Sequence, residues 1–295
     1  MVAETVGEST LRAEFIDKTI KAIALREYVL KDLCTVESSS AWTETYYRET
    51  NTDPTDITTG GGASVKIKGV PRLSPFPFGQ ASWTKVSGVN QKYACEGLIS
   101  YEDELMSNIS VIQRTLLRVA RAPVLAVDSD IAALMLASAG NVVTISAGNE
   151  WDSATVANRT PILDILNAIQ EIRADNLNVL NGNGYLCVNG RDFTNLISNS
   201  QVINNPTFKS GVMENGVVGE ICGLKIKVTE SLEFGTPDKA YVVIAKEAMT
   251  WKTVVPLTTM TIEDPGIKKT IRAWELGQPQ MVVPNAVCRI DNTRK

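Results

Sequence analysis

The side chains best placed to do chemistry are three consecutive acids, Glu102, Asp103 and Glu104, a pair of lysines, Lys66 and Lys68, and a glycine-rich turn, Asn181-Gly182-Asn183-Gly184. Adjacent carboxylates can serve as general acid and base, or as oxygen ligands for a hard cation. Their position gives them a plainer role. They follow Ser100 at the head of an apolar-periodic segment, where negative charge offsets the helix dipole. Lys66 and Lys68 share one face of an alternating strand, where lysine discourages edge pairing. The glycine-rich turn precedes a strand and lacks a Lys-Ser/Thr ending, so it is not a phosphate-binding loop. The chain has no histidine. This removes the commonest general base, the Ser-His and Cys-His pairs and the usual zinc and iron ligands. Neither Gly-x-Ser-x-Gly nor His-Glu-x-x-His occurs. Cys34, Cys95, Cys187, Cys222 and Cys288 are scattered without a Cys-x-x-Cys pair and read as small buried hydrophobes. No catalytic, cofactor-binding or metal-binding residue is expected, and the chain is not expected to be an enzyme.

The elements around these residues are more informative. From Ser100 to Ser138 the sequence reads as one long rod, or a rod with an elbow. Leu105, Ile109, Ile112, Leu116 and Val119 recur at steps of four and three and form its core face. Ser100 with Asp103 resembles a capping box, and Arg114, Arg118 and Arg121 are placed toward the helix end, matching the dipole. Pro123 predicts a kink or break. Before the rod, a helix is expected from Leu11 to about Leu33, either packed on its own chain or reaching a neighbour. Residues 41–49 alternate, with Trp42, Glu44, Tyr46 and Arg48 on one face and Tyr47 and Glu49 on the other. Neither face is apolar enough for a core. With Ser64 to Val70 as the return strand, this makes a long hairpin that needs outside support, since an isolated hairpin is marginal in water. A partner chain is the economical support. Trp42, Glu44, Tyr46, Arg48, Glu49, Lys66 and Lys68 are therefore candidate inter-subunit contacts, with Glu44 or Glu49 pairing the lysines of another copy. After the rod come a strand at 141–146 and a helix opened by Thr160-Pro161, with Ile162, Ile165, Leu166, Ile169 and Ile172 on one face. Further strands complete a mixed α/β module from about 160 to 250. A β-rich remainder turns at Asp264-Pro265-Gly266.

Composition narrows the function class. The 295 residues carry a net charge of −4 and 44% hydrophobic side chains, enough for one large domain or two smaller ones and without the basic excess of a dedicated nucleic-acid binder. No apolar run approaches a membrane span of about 18 residues. The first residues lack the basic and apolar regions of a signal peptide, so synthesis in the cytoplasm is expected.

Arm helix, polar hairpin, strand, capped rod, α/β module and closing sheet follow one another in an order that resembles the major capsid proteins of tailed double-stranded DNA viruses, with the Hong Kong 97-type fold. Lys92-Tyr93-Ala94 leading into Ile99-Ser100-Tyr101-Glu102-Asp103-Glu104-Leu105 is similar to the family's strand running into its spine helix. Ala126 to Ala132 resembles an Asp followed by a small-residue helix. The strand Tyr185 to Asn189 with Phe193 and Leu196, and Gly219 to Thr229, are similar to pieces of the axial domain. The resemblance covers nearly the whole chain and rests on the joint order of motifs. It implies an α+β fold with an N-terminal arm (1–40), an E-loop hairpin (41–90), a peripheral domain with spine helix (91–158), an axial domain (159–250) and closing peripheral strands (251–295). It implies a homo-oligomer of hexamers and pentamers in an icosahedral head that encloses DNA without reading its sequence. Portal or cement proteins would be further partners, there would be no membrane and no cofactor, and the place of the protein would be the virion. The family's N-terminal assembly domain is expected to be absent or already removed. An encapsulin-type nanocompartment shell of the same fold is the alternative, and an enzyme using carboxylates of the α/β module is a third reading.

Overall fold

The computed structural model describes residues 20, 28–49, 72–73, 83–106, 111–199, 202, 220–232 and 238–294. In chain order the strands are β1 (Thr35–Ser38), β2 (Thr43–Glu49), β3 (Trp83–Val89), β4 (Gln91–Ser100), β5 (Asn141–Thr144) and β6 (Gly184–Val188). They continue with β7 (Glu220–Ile221), β8 (Leu224–Val228), β9 (Lys239–Ile244), β10 (Met249–Asp264), β11 (Lys268–Met281) and β12 (Val287–Asp291). The helices are α1 (Tyr101–Met106), α2 (Val111–Ser138), α3 (Pro161–Ala174) and α4 (Gly190–Ser198). Two compact units result, one of residues 1–44, 88–133 and 250–280, the other of 45–87, 134–249 and 281–295.

The first unit is built on a four-stranded sheet in the order β1-β10-β11-β4, with β1 parallel to β10 and β4 antiparallel to β11. Its core gathers Ile20, Ile99, Leu116, Val119, Ala120, Ile271 and Ala273. The rod lies close on β4: a Cβ at Gly97 would collide with Thr115 Cγ2 and stand 2.8 Å from Val119 Cγ2. Glycine is what permits that approach. β10 and β11 are joined by a turn in which Ile267 N–H donates to Asp264 O at 3.0 Å and Gly266 has φ +74°. Pro265 before a positive-φ glycine is the type II pattern.

The second unit is a six-stranded mixed sheet, β5-β12-β9-β6-β8-β7. β9 is antiparallel to both β12 and β6, while β6–β8 and β12–β5 are parallel. Five consecutive residues of β9, Ala240 to Ile244, are buried, as expected of a strand covered on both faces. α3 buries Ile165, Ala168, Ile169 and Ile172, and Asn189 caps α4 by accepting from Asp192 N–H at 2.7 Å.

Several sequence expectations change. The arm helix does not reach Leu33: residues 28–30 are irregular and Lys31–Leu33 form a 3-10 turn. Asp128 accepts from the N–H groups of Val29 and Lys31 at 2.9 and 3.1 Å, drawing that stretch out of helical pairing. Ile20 is fully buried in the first unit's core, so at that residue the arm packs on its own chain. Within residues 41–90, β2 pairs with β3, and a separate strand, β4, starts after Asn90. α2 continues through Pro123, with Val119, Ala120, Val124 and Val127 buried around it; packing holds the helix across the missing N–H. Leu105 is not a core residue: it lies in α1 and is 66% exposed, whereas Leu116 and Val119 are buried. Leu166 is likewise exposed, and the inner face of α3 uses Ala168 in its place. Thr160 opens α3 through its carbonyl, without a side-chain cap. β5 and β12 belong to the six-stranded sheet, so the α/β module is wider than 159–250. Of the cysteines, Cys34, Cys187 and Cys288 are buried, while Cys95 and Cys222 are only half-buried. Ile109, Lys66, Lys68 and the segment Ser64 to Val70 lie outside the described residues, as does the side chain of Ile112.

Candidate self-association interface

The β2–β3 ribbon shows the two-residue alternation read from the sequence. Thr43, Thr45 and Tyr47 are exposed, and Glu44, Tyr46 and Arg48 are half-buried. The half-buried face has partners in its own chain. Glu44 accepts from Gln280 Nε2 at 3.3 Å, and Arg48 donates to Ser138 Oγ at 3.2 Å. Glu49 N–H donates to Val282 O at 2.9 Å. Asn90 pins the base: its N–H donates to Trp42 O at 3.0 Å and its side-chain amide to Ala41 O at 2.7 Å. On the opposite face Tyr47 is 58% exposed; Trp42, just before β2, is 64% exposed and Trp83, at the start of β3, 52% exposed. Exposed aromatic side chains on a ribbon with little core of its own are characteristic of contact surfaces.

A second uncovered region is a recess of about 500 Å³ beside the β10–β11 turn, lined by Tyr101, Leu105, Glu263, Pro265 and Lys269 among others. Ser100 Oγ accepts from Asp103 N–H at 3.1 Å, so the acid cluster Glu102–Glu104 heads a capped helix as its position implied. Around the turn, Asp264 and Glu263 stand 3.9 Å from Lys268 and Lys269. These acids face lysines and form no acid–base dyad.

Sequence reading missed the buried ionic anchor of the first unit. Glu275 is fully buried and accepts from Tyr28 Oη at 2.6 Å, from Trp251 Nε1 at 3.1 Å and from Lys31 Nζ. The Lys31 ammonium also lies 4.3 Å from the Tyr28 ring centre and 5.1 Å from that of Trp251. Beside it Tyr93 Oη donates to Asp130, and Asp128 takes the backbone donors of the arm. Burial, then the neighbouring carboxylates, raise the Tyr28 hydroxyl far above its ordinary pKa, so it remains a proton donor to Glu275. Burial likewise raises Asp128, against the pull of its backbone donors. The signal was present in register: Ile271, Ala273 and Glu275 share one face of β11, and only the glutamate breaks its apolar run.

The second unit has its own buried acids. Asp192 accepts from Thr293 Oγ1 at 2.6 Å, and burial pushes its pKa up to about 6. Asp164 accepts from Trp151 Nε1 at 3.0 Å and is raised by burial. Both acids tie loop or terminal segments to helices. Among the described residues no group of three metal-ligating side chains converges. Ser82-Trp83-Thr84-Lys85 has the Ser-x-x-Lys spacing of a serine–lysine dyad, but that spacing shares a face only on a helix and Lys85 lies in strand β3. Among the described residues no helix is long and apolar enough to cross a membrane.

No family model and no curated protein matches the chain by sequence. Solved structures do. A structure from Mycobacterium phage Che8 matches with a TM-score of 0.64 at 17% identity, covering 91% of this chain and 92% of that one. The capsid structure of cyanophage P-SCSP1u matches with a TM-score of 0.63 at 14% identity, covering 90% and 88%. A virus-like particle from Pyrococcus furiosus matches with a TM-score of 0.60 at 13% identity, covering 95% and 99%. Mixed helices and strands, matched over 90% or more of this chain by phage capsid structures and by the virus-like particle, establish the fold: this chain shares the fold of these capsid structures.

Proposed function

We propose that this chain is the major capsid protein of a tailed double-stranded DNA phage, a structural subunit that self-assembles into hexamers and pentamers of an icosahedral head around DNA. The observation that carries the reading is the end-to-end match to phage capsid structures. The exposed aromatics of the β2–β3 ribbon support it, because a subunit joined to many copies needs such uncovered contact area. In this reading residues 41–90 are the E-loop and α2 is the spine. The six-stranded unit is the axial domain and the four-stranded unit the peripheral domain. Trp42, Glu44, Tyr46, Arg48, Glu49, Lys66 and Lys68 meet neighbouring subunits, and portal or cement proteins complete the virion.

The match to the Pyrococcus virus-like particle, over 99% of that chain, favours a second reading as a nanocompartment shell. Electron microscopy of the expressed chain, with light scattering on the same sample, tests the shared claim. Closed shells or capsomer rings support it, and a monomer at high concentration overturns it. Shells that retain co-expressed enzyme cargo and no DNA would select the nanocompartment. Deleting residues 53–63 is expected to leave a folded subunit whose assembly is impaired; loss of folding would move that segment into the core.

A further inference from the structure

We propose that the turn from Asn178 to Gly184 is a site of self-modification, at which Asn181 loses its side-chain amide to attack by the backbone nitrogen of Gly182. Four Asn-Gly pairs occur in the chain. Asn215-Gly216 lies outside the described residues, and the other three stand in different surroundings. An Asn-Gly pair can cyclise because glycine has no Cβ to keep its nitrogen from the asparagine carbonyl carbon.

The Asn181-Gly182 pair is open and held in position. Both residues are exposed, and Gly182 has φ +81° with nothing within 4 Å of where a Cβ would stand. Asn178 Nδ2 donates to Asn181 Oδ1 at 3.0 Å. Asn178 Oδ1 accepts from Leu180 N–H at 3.2 Å, which fixes the orientation of that amide and turns its donor toward Asn181. A donor on Oδ1 polarises the carbonyl under attack and stabilises the negative charge that gathers on it. Lys225 Nζ donates to Gly182 O at 2.9 Å and lies 5.7 Å from the Tyr185 ring centre, fixing the glycine from β8. The other pairs are closed. Gly184 is buried in β6 opposite Ile244, and a Cβ there would collide with Val179 O. Asn189 is buried, and its Oδ1 is engaged as the cap of α4.

The reaction needs only water. Gly182 N gives its proton to solvent and bonds to Asn181 Cγ; the Cγ–Nδ2 bond breaks, and the nitrogen leaves as ammonia. Water then opens the succinimide at either carbonyl, leaving aspartate or isoaspartate at position 181. No oxidant or reductant takes part. The turn gains one negative charge, and the isoaspartyl form lengthens its main chain by one methylene. Loss of ammonia makes the step one-way, so it records the age of a subunit whether or not the chain builds a shell.

The test holds the folded full-length chain in mildly alkaline buffer and follows each asparagine over time by peptide mass spectrometry. Asn181 is expected to give both products, with Asn183 and Asn189 lagging at least about tenfold because each must await local opening. N178A is expected to slow conversion of Asn181 by about 2- to 10-fold, the worth of one neutral hydrogen bond. In urea, where the turn is lost, Asn183 is expected to catch up with Asn181. An unreactive Asn181 in the folded chain, or equal rates at 181 and 183 there, overturns the proposal. So does an N178A chain that reacts as fast as the parent, or a lag that persists in urea.

Discussion

The two sheets handle burial differently. β9 of the six-stranded sheet is inaccessible along Ala240 to Ile244, and β6 and β12 beside it are nearly so. In the four-stranded sheet, β10 begins buried at Met249 and Trp251 and is increasingly exposed toward Asp264. The six-stranded sheet buries its central strands along their length, whereas β10 of the four-stranded sheet runs on past its buried part. Surplus strand length is unfavourable for a free subunit and useful only where something else covers it. The anchoring acids differ in the same sense. Glu275 is matched by a lysine, a tyrosine and a tryptophan, whereas Asp192 has one hydroxyl partner and an oxygen without a hydrogen bond.

That contrast can be broken most forcefully at Glu275. Replacing it with alanine leaves Lys31, Tyr28 and Trp251 without their buried acceptor, and losing one member of such a set costs about 3–5 kcal/mol. Denaturant unfolding of the E275A chain should show this loss in the first unit, read through the fluorescence of Trp251. A variant as stable as the parent would show that the anchor is ornamental.

Asp192 gives the next effect, and it depends on pH. Its pKa rises from 3.8 to about 6 on folding, chiefly through burial. The folded state thus holds a proton that the unfolded state releases between those values. This contribution, on the order of 3 kcal/mol, is fully present below about pH 4 and is lost as pH rises through 6. Subtracting the melting profile of D192N from that of the parent should isolate it. A flat difference between pH 4 and 7 would remove Asp192 from the account.

Smaller effects refine the picture. W151F removes the donor to buried Asp164 while keeping most of the apolar volume, and should cost about 1–3 kcal/mol. G266A should cost about 1 kcal/mol at its left-handed φ, although no atom crowds the site, and G266N should recover part of that. Equal melting temperatures for G266A and the parent would mean the turn adopts another conformation.

Legibility followed periodicity. The rod, α3, the Asp264-Pro265-Gly266 turn and the Ser100 cap were readable because each is encoded within a few residues. Pairings between distant segments were not. β1 has four residues, Thr35 to Ser38, and exists because β10 lies beside it. The partner of β2 was sought nearby and found beyond a long insertion, in β3. At the candidate interface the alternation of Glu44, Tyr46 and Arg48 was visible, but their intrachain bonds to Gln280 and Ser138 were not. The Glu275 anchor joins residues 28, 31, 251 and 275, a separation at which local pattern carries no information.

The place of β12 bears on how the subunit is made. It follows both β5 and β9 in the sequence, yet it stands between them in the sheet. During synthesis β5 waits without a neighbour and β9 presents an open edge until residues 287–291 leave the ribosome. The sheet cannot close on a partial chain. Closure of this sheet is therefore a long-range step that waits on a segment made well after most of its neighbours.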